Sequence, residues 1–546
     1  MVDPNSSAHS SANFPLLIKS LLVTPLQIAP DVEIVSDGLM RYSYRDFDAR
    51  LKRLGNGLGA LGVGKGSVVA VMDWDTHRYF ECFFAVPMLG AVLHTVNIRL
   101  APAQIAYTID HAEDDVILVH ADFVALLADV MPLVKRRVKL VLLRDDAAQT
   151  PASDFDFVTS YDAMLDTPAD DFTFPDFDEN TRATTFYTTG TTGDPKAVAY
   201  SHRQLVLHTM GLLAGLGPLE TSNRLHRGDV YMPITPMFHV HAWGFPYAAT
   251  LLGIKQVYAG RYIPANLLRL IADEGATFSH CVPTILQMLL AAPEAAKTDL
   301  TALKMLIGGA SLPRGLAEAA LARGINIYTG YGLSETCPVL TIAALDPNAE
   351  RDIEDQIDAR MKTGQPIPLV DLRIVDDAMR NEPHDGVSTG EVVARAPWLT
   401  AEYLKSPQAS AALWKGGYLH TGDVGHIDPA GSLQITDRMK DVIKSGGEWL
   451  SSLALESLAS GVEGVDEVAA IGIQDAKWGE RPALLVVGKN DDQATIESDI
   501  RAAITAQIEA GGLSKWAMPE IIRFVDEIAK TSVGKIDKKR LRAEFI

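Results

Sequence analysis

Apolar and polar positions alternate along most of the chain in a way that predicts strands and helices in turn. Residues 68–73, 115–120 and 138–143 are short runs of almost wholly apolar side chains, which is typical of strands buried on both faces. Residues 79–89 lie between two such runs and have helical periodicity. Because strands that alternate with helices form parallel sheets, the pattern predicts an α/β fold with parallel sheets covered by helices.

The pattern changes near residue 371. Short strand-like runs separated by turns follow, at 371–375, 390–394 and 432–436, and they predict an antiparallel β unit. The last hundred residues contain strand-like and helical runs of their own and predict a small α+β domain. We therefore expect a large N-terminal domain, residues 1–436, hinged to a small C-terminal domain, residues 437–546, with the break near Asp437.

Composition limits the class of protein. The chain has 546 residues, of which 47% are hydrophobic and 22% charged, so it is long enough for several domains and is not disordered. Its net charge of −20 argues against a nucleic-acid-binding protein. Residues 1–437 carry −17 of that charge and residues 438–546 carry −3, so the acidity belongs to the large domain and favours solubility. The acidic stretch 145–178 has few apolar residues and is expected to be a surface excursion.

Three further features bear on location. No run approaches 18 apolar residues, so no integral membrane segment is expected. Residues 1–13 are polar and lack the order of a secretion signal, which favours the cytoplasm. Cys82, Cys281 and Cys337 are far apart and are expected to be buried thiols in a reducing compartment, with no zinc site.

A Gly/Thr-rich loop at residues 187–196, YTTGTTGDPK, is the most informative segment. Glycines allow the backbone to approach a ligand closely, and successive N–H groups and hydroxyls form an anion site to which Lys196 adds a charge. The loop is not a Walker A motif, because GxxxxGK[ST] is absent. Taken alone, an ordinary turn and a phosphate site are equally good interpretations.

Other motifs accompany this loop in a fixed order. They are YGLSET at 331–336, YLHTGD at 418–423, DRMK at 437–440, KSGGE at 444–448 and KTSVGK at 530–535. Together the set resembles the acyl-adenylate-forming, or AMP-binding, superfamily, which includes acyl-CoA synthetases, luciferases and the adenylation domains of peptide synthetases. The resemblance extends from about Ser43 to Arg542.

The resemblance implies a nucleotide site built from several of these motifs. Thr188 to Lys196 would hold the β- and γ-phosphates of ATP, Thr336 would contact the α-phosphate, and Glu335 would hold Mg²⁺. Asp423 would accept hydrogen bonds from the ribose, Arg438 would contact ribose or phosphate, and Tyr331 would stack on adenine. The full set implied for ATP and AMP is Thr188, Thr189, Gly190, Thr191, Thr192, Gly193, Lys196, Gly308, Gly309, Ala310, Tyr331, Gly332, Thr336, Asp423, Ile435, Arg438 and Lys535.

The resemblance also implies which residues perform the chemistry. Lys535 would enter the site from the small domain and bridge the carboxylate and the α-phosphate, while His239 would lie beside the acyl carboxylate. Trp243 lies four residues after His239, so on a helix the two would share one face, and that helix would form a wall of the acyl pocket. The implied catalytic residues are Lys535, His239, Thr188 and Glu335, and the implied acyl pocket is His239, Trp243, Val282, Gly308 and Gly330.

Coenzyme A would follow ATP at the same site. After adenylation the small domain would rotate about Asp437, a single loop residue, and bring a glycine-containing loop to the site. The residues implied for CoA are Lys444, Ser445, Gly446, Gly447, Glu448 and Trp449.

Three positions depart from the family pattern, and all three are alanine. Ala197 follows Lys196 where glycine is usual, Ala454 stands where an acidic residue often occurs, and Ala529 replaces a common proline. None removes a charged group of the expected site.

The resulting hypothesis is an AMP-forming acyl-CoA ligase, an acid-thiol ligase of fatty acid metabolism. It would use ATP, Mg²⁺ and CoA on a short- or medium-chain fatty acid. The alternatives are a ligase for methylthio-propionate or for a branched, cyclic or aromatic acid, an adenylating enzyme that loads a carrier protein, and a non-catalytic binding protein derived from the family. Retention of Lys196, Glu335, Asp423, Arg438 and Lys535 together argues against the last. A homodimer is possible on this hypothesis.

Overall fold

The computed structural model describes twelve segments of the chain. They are residues 14–146, 153–168, 171–188, 194–219, 223–343, 345, 353–445, 448–475, 477–489, 492–511, 513–530 and 536–545, with the backbone alone at 353–355 and 448–449. Within them the chain is a mixed α/β protein with a large N-terminal unit and a small C-terminal unit, which confirms the predicted fold class.

The first part of the chain contains strands and helices in the predicted alternation. Its strands are β1 (Glu33–Ser36), β2 (Met40–Ser43), β3 (Val68–Met72), β4 (Val92–Thr95), β5 (Val116–His120), β6 (Lys139–Leu143), β7 (Phe157–Ser160), β8 (Arg182–Thr188) and β9 (Lys196–Ser201). Its helices are α1 (Val23–Ile28), α2 (Tyr44–Ala60), α3 (His77–Met88), α4 (Pro102–Ala112), α5 (Val124–Val130), α6 (Tyr161–Leu165) and α7 (His202–Leu216).

A sheet of seven described strands lies at the centre of this part, in the order β7-β6-β5-β3-β4-β8-β9. Neighbouring strands are parallel except β9, which is antiparallel to β8. All five residues of β3 are buried, as expected of a central strand covered by helices on both faces. Helix α7 begins directly after β9, where Ser201 accepts a hydrogen bond from Gln204 N in a capping box.

A second sheet carries the next part of the large unit. Its further strands are β10 (Val230–Tyr231), β11 (Lys255–Tyr258), β12 (Phe278–Cys281), β13 (Lys304–Ile307), β14 (Asn326–Gly332), β15 (Val339–Ile342) and β16 (Gln365–Pro366). The strand order is β16-β15-β14-β13-β12-β10-β11-β1-β2, parallel at the centre and antiparallel at both edges. The helices of this part are α8 (Phe245–Leu252), α9 (Pro264–Glu274), α10 (Pro283–Ala291), α11 (Arg314–Ala322) and α12 (Ile353–Met361).

An antiparallel sheet and the small unit complete the chain. The sheet has the order β17 (Asp371–Val375), β18 (Gly390–Arg395), β19 (Leu419–Ile427) and β20 (Leu433–Arg438), and α13 (Pro407–Leu413) precedes β19. The small unit contains β21 (Ile443–Ser445), β22 (Glu448–Leu450), α14 (Ser452–Ser460), β23 (Val465–Asp475), β24 (Gly479–Gly488), α15 (Gln493–Glu509), β25 (Ile521–Phe524) and α16 (Lys538–Phe545). The expected antiparallel β unit and α+β unit are both present.

Two local expectations were wrong. The stretch 145–178 is more than a surface excursion, because β7 is the edge strand of the first sheet and Tyr161, in α6, is fully buried. Asp437 is not a loop residue: it lies inside β20, pairs with Val424 of β19 and has only 2% of its surface exposed.

Candidate active site

The predicted phosphate loop connects two paired strands. β8 and β9 form an antiparallel hairpin in which Thr188 and Lys196 are the last described pair, so both lie at the base of the loop. The strand β9 (Lys196–Ser201) was not predicted from the sequence. The expected phosphate contacts Thr189, Gly190, Thr191, Thr192 and Gly193 lie outside the described residues.

Lys196 and Glu335 are brought together by a residue that the sequence analysis missed. The Lys196 Nζ atom lies 4.8 Å from the centre of the Tyr403 ring, and the Tyr403 hydroxyl donates a 2.7 Å hydrogen bond to Glu335 Oε1. Burial, and then the nearby Glu335 carboxylate, raises the pKa of Tyr403 well above its usual range, so its hydroxyl keeps its proton and remains a donor. A cation and a carboxylate are thereby fixed beside the phosphate loop.

Tyr403 is held in place by the strand that follows the loop. The segment after residue 399 runs along β9: Leu404 N donates to Ala197 O at 3.0 Å, and an isolated bridge joins Val198 to Tyr403. On its other side, Thr400 N donates to Glu335 O at 3.0 Å. The isolated sequence around Tyr403 resembles none of the motifs, so only this three-dimensional pairing identifies it.

The YGLSET motif spans the end of β14 and the turn that follows it, and the Thr336 hydroxyl on that turn is directed at neighbouring backbone. Thr336 is fully buried; its hydroxyl accepts a hydrogen bond from Leu333 N at 2.8 Å and donates to Pro338 O. The expected contact between this side chain and the α-phosphate does not fit that position. Ser334, on the same turn and next to Glu335, also has a hydroxyl and is half-buried rather than fully buried.

The ribose side of the site contains two polar contacts to one carboxylate. Tyr331 donates a 2.7 Å hydrogen bond to Asp423 Oδ2, and Arg438 Nε lies 3.0 Å from Asp423 Oδ1. Asp423 and Arg438 are directly paired across β19 and β20, which explains their proximity. The Asp423 charge raises the pKa of Arg438, so the guanidinium stays charged beside it.

The expected adenine side lies where β13 and β14 end. A Cβ atom on Gly308 would lie 3.0 Å from Gly330 O and 3.1 Å from the Trp243 ring, and one on Gly332 would clash with Pro338 O at 1.7 Å. Gly309 has φ of 79° and is exposed together with Ala310. Glycine is therefore required here by close packing and by backbone conformation. Ile435, half-buried in β20, donates its N–H to Thr363 at 3.0 Å.

The acyl wall is not the helix that the sequence predicted. Residues Val240, His241, Ala242 and Trp243 all have positive φ, between 47° and 59°, so they form one left-handed turn. Non-glycine residues in this conformation cost roughly 1–2 kcal/mol each, and such strain persists only where packing fixes it. Because the turn has the opposite hand, His239 and Trp243 do not share a face in the expected way.

Trp243 packs between a glycine and a histidine. Besides its closeness to Gly308, its ring stacks on His280 with centroids 5.0 Å apart and an interplanar angle of 28°. His280 is itself fixed by contacts to the Tyr231 hydroxyl at 2.8 Å and to Thr235 Oγ1 at 3.0 Å. Two further expected pocket residues are half-buried: His239, four residues before Trp243, and Val282, two residues after His280 and the N-cap residue of α10.

His241 is a packing residue. It is fully buried, its ring lies within 5.4–6.2 Å of the rings of Phe83, Phe186, Tyr200 and Tyr247, and neither ring nitrogen has a hydrogen-bond partner among the described residues. Burial lowers the pKa of His241 to about 3, so the ring is neutral.

The expected CoA loop is only partly described. Gly446 and Gly447 lie outside the described residues, as do the side chains of Glu448 and Trp449. Lys444 is exposed, whereas Ser445 is fully buried and accepts a 3.2 Å hydrogen bond from Arg481 Nη1. The Ser445 hydroxyl therefore does not fit the expected contact with CoA. The expected catalytic Lys535 also lies outside the described residues.

A cleft of about 680 Å³ separates the two units on one side of Asp437. Its lining includes Ser311 and residues 434–437 from the large unit and Leu450, Ser451 and Ala454 from the small one. The strand that carries Asp437 therefore borders both the ribose contact and the space between the units.

Two protein-family descriptions match the chain. The AMP-binding enzyme family matches residues 26–404, and the AMP-binding enzyme C-terminal domain matches residues 454–535. The chain belongs to the AMP-binding enzyme family.

Several curated relatives of this AMP-binding enzyme are CoA ligases, and the two described next match it over at least 90% of their length. It is 39% identical to the long-chain-fatty-acid–CoA ligase of Thermus thermophilus over 509 residues, 92% of this chain and 90% of that protein. It is 36% identical to the 3-methylmercaptopropionyl-CoA ligase of Ruegeria lacuscaerulensis, over 97% of both chains. These relatives confirm the expected class of reaction, that of an AMP-forming acid-thiol ligase that uses ATP and CoA.

Solved structures agree with the fold. A Mycobacterium tuberculosis fatty acyl CoA synthetase has a TM-score of 0.69 at 26% identity, covering 97% of this chain and 98% of that one. An anthranilate CoA ligase in complex with anthranoyl-AMP has a TM-score of 0.83 at 22% identity over 98% of each chain.

The described residues also bear on the expected membrane and metal sites. None of their helices is long and apolar enough to cross a membrane. They contain no group of three or more His, Cys, Asp or Glu side chains able to hold a metal ion. The three cysteines, Cys82, Cys281 and Cys337, are buried and form no disulfide.

Proposed function

We propose that this AMP-binding enzyme activates a short- or medium-chain carboxylic acid as acyl-AMP and transfers the acyl group to CoA, using the residues assembled above. The observation that carries the proposal is the pairing of a phosphate-loop cation with a carboxylate, Lys196 with Glu335 through Tyr403, beside the Asp423–Arg438 pair. Together these groups match the charges and hydroxyls of a nucleotide.

The phosphate end of ATP would lie between β9 and the turn after β14. Lys196 and Thr188 flank the phosphate loop, and Ser334 replaces the buried Thr336 as the hydroxyl that reaches the α-phosphate. Glu335 is a hard oxygen donor held at one atom by Tyr403, which fits a Mg²⁺ ion bound chiefly by phosphates, and the ion would neutralise phosphate charge. Preorganised cations of this kind would stabilise the charge that develops at the α-phosphate during adenylation, when the carboxylate attacks and pyrophosphate leaves.

The ribose and adenine would lie across the ends of β13, β14 and β19. A carboxylate oxygen can accept more than one hydrogen bond, so Asp423 would accept from the ribose hydroxyls while Tyr331 and Arg438 hold its orientation. Gly308, Gly309 and Ala310 leave a flat edge against which a base fits.

The acid would enter beside Trp243. The ring of Trp243 lies against Gly308, near Gly330, and is backed by His280, so it narrows the space next to the nucleotide site. Because this packing leaves less room, it supports a carboxylic acid whose acyl chain is short or of medium length. The relatives are named for a long-chain fatty acid and for 3-methylmercaptopropionate, so their names alone do not choose between chain lengths.

The two half-reactions would require two placements of the small domain, residues 437–546. Lys535 would contact the carboxylate and α-phosphate in the first, and the loop from Lys444 to Trp449 would reach CoA in the second. Asp437 would be the pivot, now as a strand residue whose neighbour Arg438 already contacts Asp423. The free, buried thiols suit the reducing cytoplasm, where we place the enzyme. The enzyme would act there as a homodimer.

A substrate panel tests the proposal. Purified protein with ATP and Mg²⁺ is expected to release pyrophosphate in the presence of short- and medium-chain acids, and CoA should then yield the acyl thioester. Branched, cyclic, aromatic and thioether acids are included in the same panel. Absence of acid-dependent pyrophosphate release from every member would refute the enzyme, and thioester formed on a carrier protein but not on free CoA would refute the CoA ligase.

A further inference from the structure

A buried cluster of four polar side chains joins the pivot to the segment that follows Lys535. Lys538 is only 8% exposed; its Nζ atom donates to Ser452 Oγ at 2.6 Å and lies 2.7 Å from Glu456 Oε1. Ser452 Oγ in turn donates to Asp437 Oδ2 at 2.6 Å. We call Asp437, Ser452, Glu456 and Lys538 the Lys538 cluster.

Asp437 belongs to both units at once. Its backbone pairs with Val424 in the antiparallel sheet of the large unit. Its carboxylate accepts hydrogen bonds from Ser452 N at 2.5 Å and from Ser452 Oγ, at the start of α14 in the small unit. If the units rotate about Asp437, its backbone is therefore held by the large unit while its side chain is held by the small unit.

Lys538 belongs to the chain that carries Lys535. It is the first residue of α16 and lies three positions after Lys535. The described chain on either side of residues 531–535 is closed by a bridge between Lys530 and Ile536 and by a 2.8 Å hydrogen bond from Asp537 N to Ala529 O. The Lys538 side chain thus connects the base of this segment to the pivot through Ser452.

Stability alone is a weak reason for such a cluster. A buried ion pair is often no more stable than apolar residues of the same volume, because both charges lose their hydration. Glu456 is also tied down by Ala470 N, which donates to its Oε1 atom at 2.8 Å. Buried ionic groups with several fixed partners are better suited to define one geometry than to strengthen the fold.

We propose that Lys538 is a positioning residue for adenylation, which fixes the segment carrying Lys535 relative to the pivot Asp437. The inference rests on the proposed function, in which Lys535 acts only in the first half-reaction. Loss of the Lys538 contacts would leave the binding groups of the large unit intact but misplace Lys535, and misplacement of about 1 Å can lower a rate by roughly 100-fold.

The test measures both half-reactions in Lys538→Met, with Lys538→Arg and Lys539→Met as comparisons. Lys539 is the exposed neighbour of Lys538 on the same helix and serves as the matched control. In Lys538→Met we expect acid-dependent pyrophosphate release to fall by roughly 10- to 100-fold, while thioester formation from supplied acyl-AMP changes by less than about 3-fold. Lys538→Arg, which can still donate to Ser452 and Glu456, should recover most of the first half-reaction.

Two results would overturn the inference. One is an equal fall in both half-reactions of Lys538→Met, and the other is behaviour identical to Lys539→Met. If Lys538→Met does not fold, the double variant Glu456→Gln/Lys538→Met, which removes the unpaired buried carboxylate, is measured in its place. The variant Lys535→Ala separates this inference from the proposed function. If Lys535→Ala still releases pyrophosphate, the proposed role of Lys535 fails. If Lys535→Ala loses pyrophosphate release while Lys538→Met keeps it, only the proposed role of Lys538 fails.

Discussion

Two regions of the proposed site, the nucleotide side and the acyl side, are held together by different forces. On the nucleotide side, ionic and hydrogen-bonded contacts connect Lys196, Tyr403 and Glu335, and a second set connects Tyr331, Asp423 and Arg438. On the acyl side, a left-handed turn and the stacking of neutral rings hold Trp243. The first arrangement suits a ligand of constant charge and shape, whereas the second lets the pocket change with the packing of apolar side chains.

The largest effect is expected from breaking the nucleotide side. Glu335→Gln removes the carboxylate charge but keeps a group that can accept from Tyr403. We expect acid-dependent pyrophosphate release to fall by roughly 100- to 1,000-fold, the size seen when one preorganised charge-stabilising group is lost. The assay is ATP–pyrophosphate exchange at saturating acid. Glu318→Gln, on the exposed face of α11, is the control; a Glu335→Gln enzyme as active as this control would show that the two sides do not differ as described.

A smaller effect tests the strain of the acyl side. Ala242 and Ala248 are both fully buried, but Ala242 lies in the left-handed turn and Ala248 lies in the right-handed helix α8. Each change to glycine removes one buried methyl group, whereas glycine relieves strain only at residue 242. We expect Ala242→Gly to be less destabilising than Ala248→Gly by about 1–2 kcal/mol in urea unfolding. Equal costs would mean that the left-handed turn is not strained.

The smallest effect concerns pH. Burial lowers the pKa of His241 to about 3, below its ordinary value of 6.5, so between these values the unfolded chain binds more protons than the folded one. The stability due to the neutral ring is complete above pH 6.5 and decreases as the pH falls towards 3. When the pH is lowered from 6 to 5, the free energy of unfolding of the wild type should therefore fall by about 1 kcal/mol more than that of His241→Leu. Parallel pH profiles of the two proteins would contradict this.

The nucleotide side was largely predictable because its residues lie in short local motifs. Asp423 and Arg438 were both expected, and their pairing follows once β19 and β20 are antiparallel neighbours. Ser334 was within reach of the same reasoning, since a hydroxyl stands directly before Glu335. Thr336 was expected in that role instead, but the turn points its hydroxyl at Leu333 and Pro338, which sequence spacing does not reveal.

The acyl side was less predictable because it depends on backbone conformation and on distant contacts. Spacing of four residues between His239 and Trp243 indicates one helical face only if the helix is right-handed, and no side chain in this stretch signals the opposite hand. Tyr403 poses a similar difficulty, because it pairs with Val198 of β9, which is far away in the sequence and meets it only in the folded protein. The central strands β3, β5 and β6 of the large unit, by contrast, followed from their apolar runs, whereas the strands β7 and β9 at the edges of the sheet did not.

The pairing of β19 with β20 has a consequence for inhibition. Asp423 faces Arg438 and Val424 faces Asp437, so the ribose contact and the pivot occupy successive pairs of one ladder. We expect a nucleoside analogue that bridges Asp423 and Arg438 to hold β20 in this register and so to retard movement of the small domain. Such a compound would arrest turnover without entering the acyl pocket, and its potency should be the same whichever acid the enzyme is given.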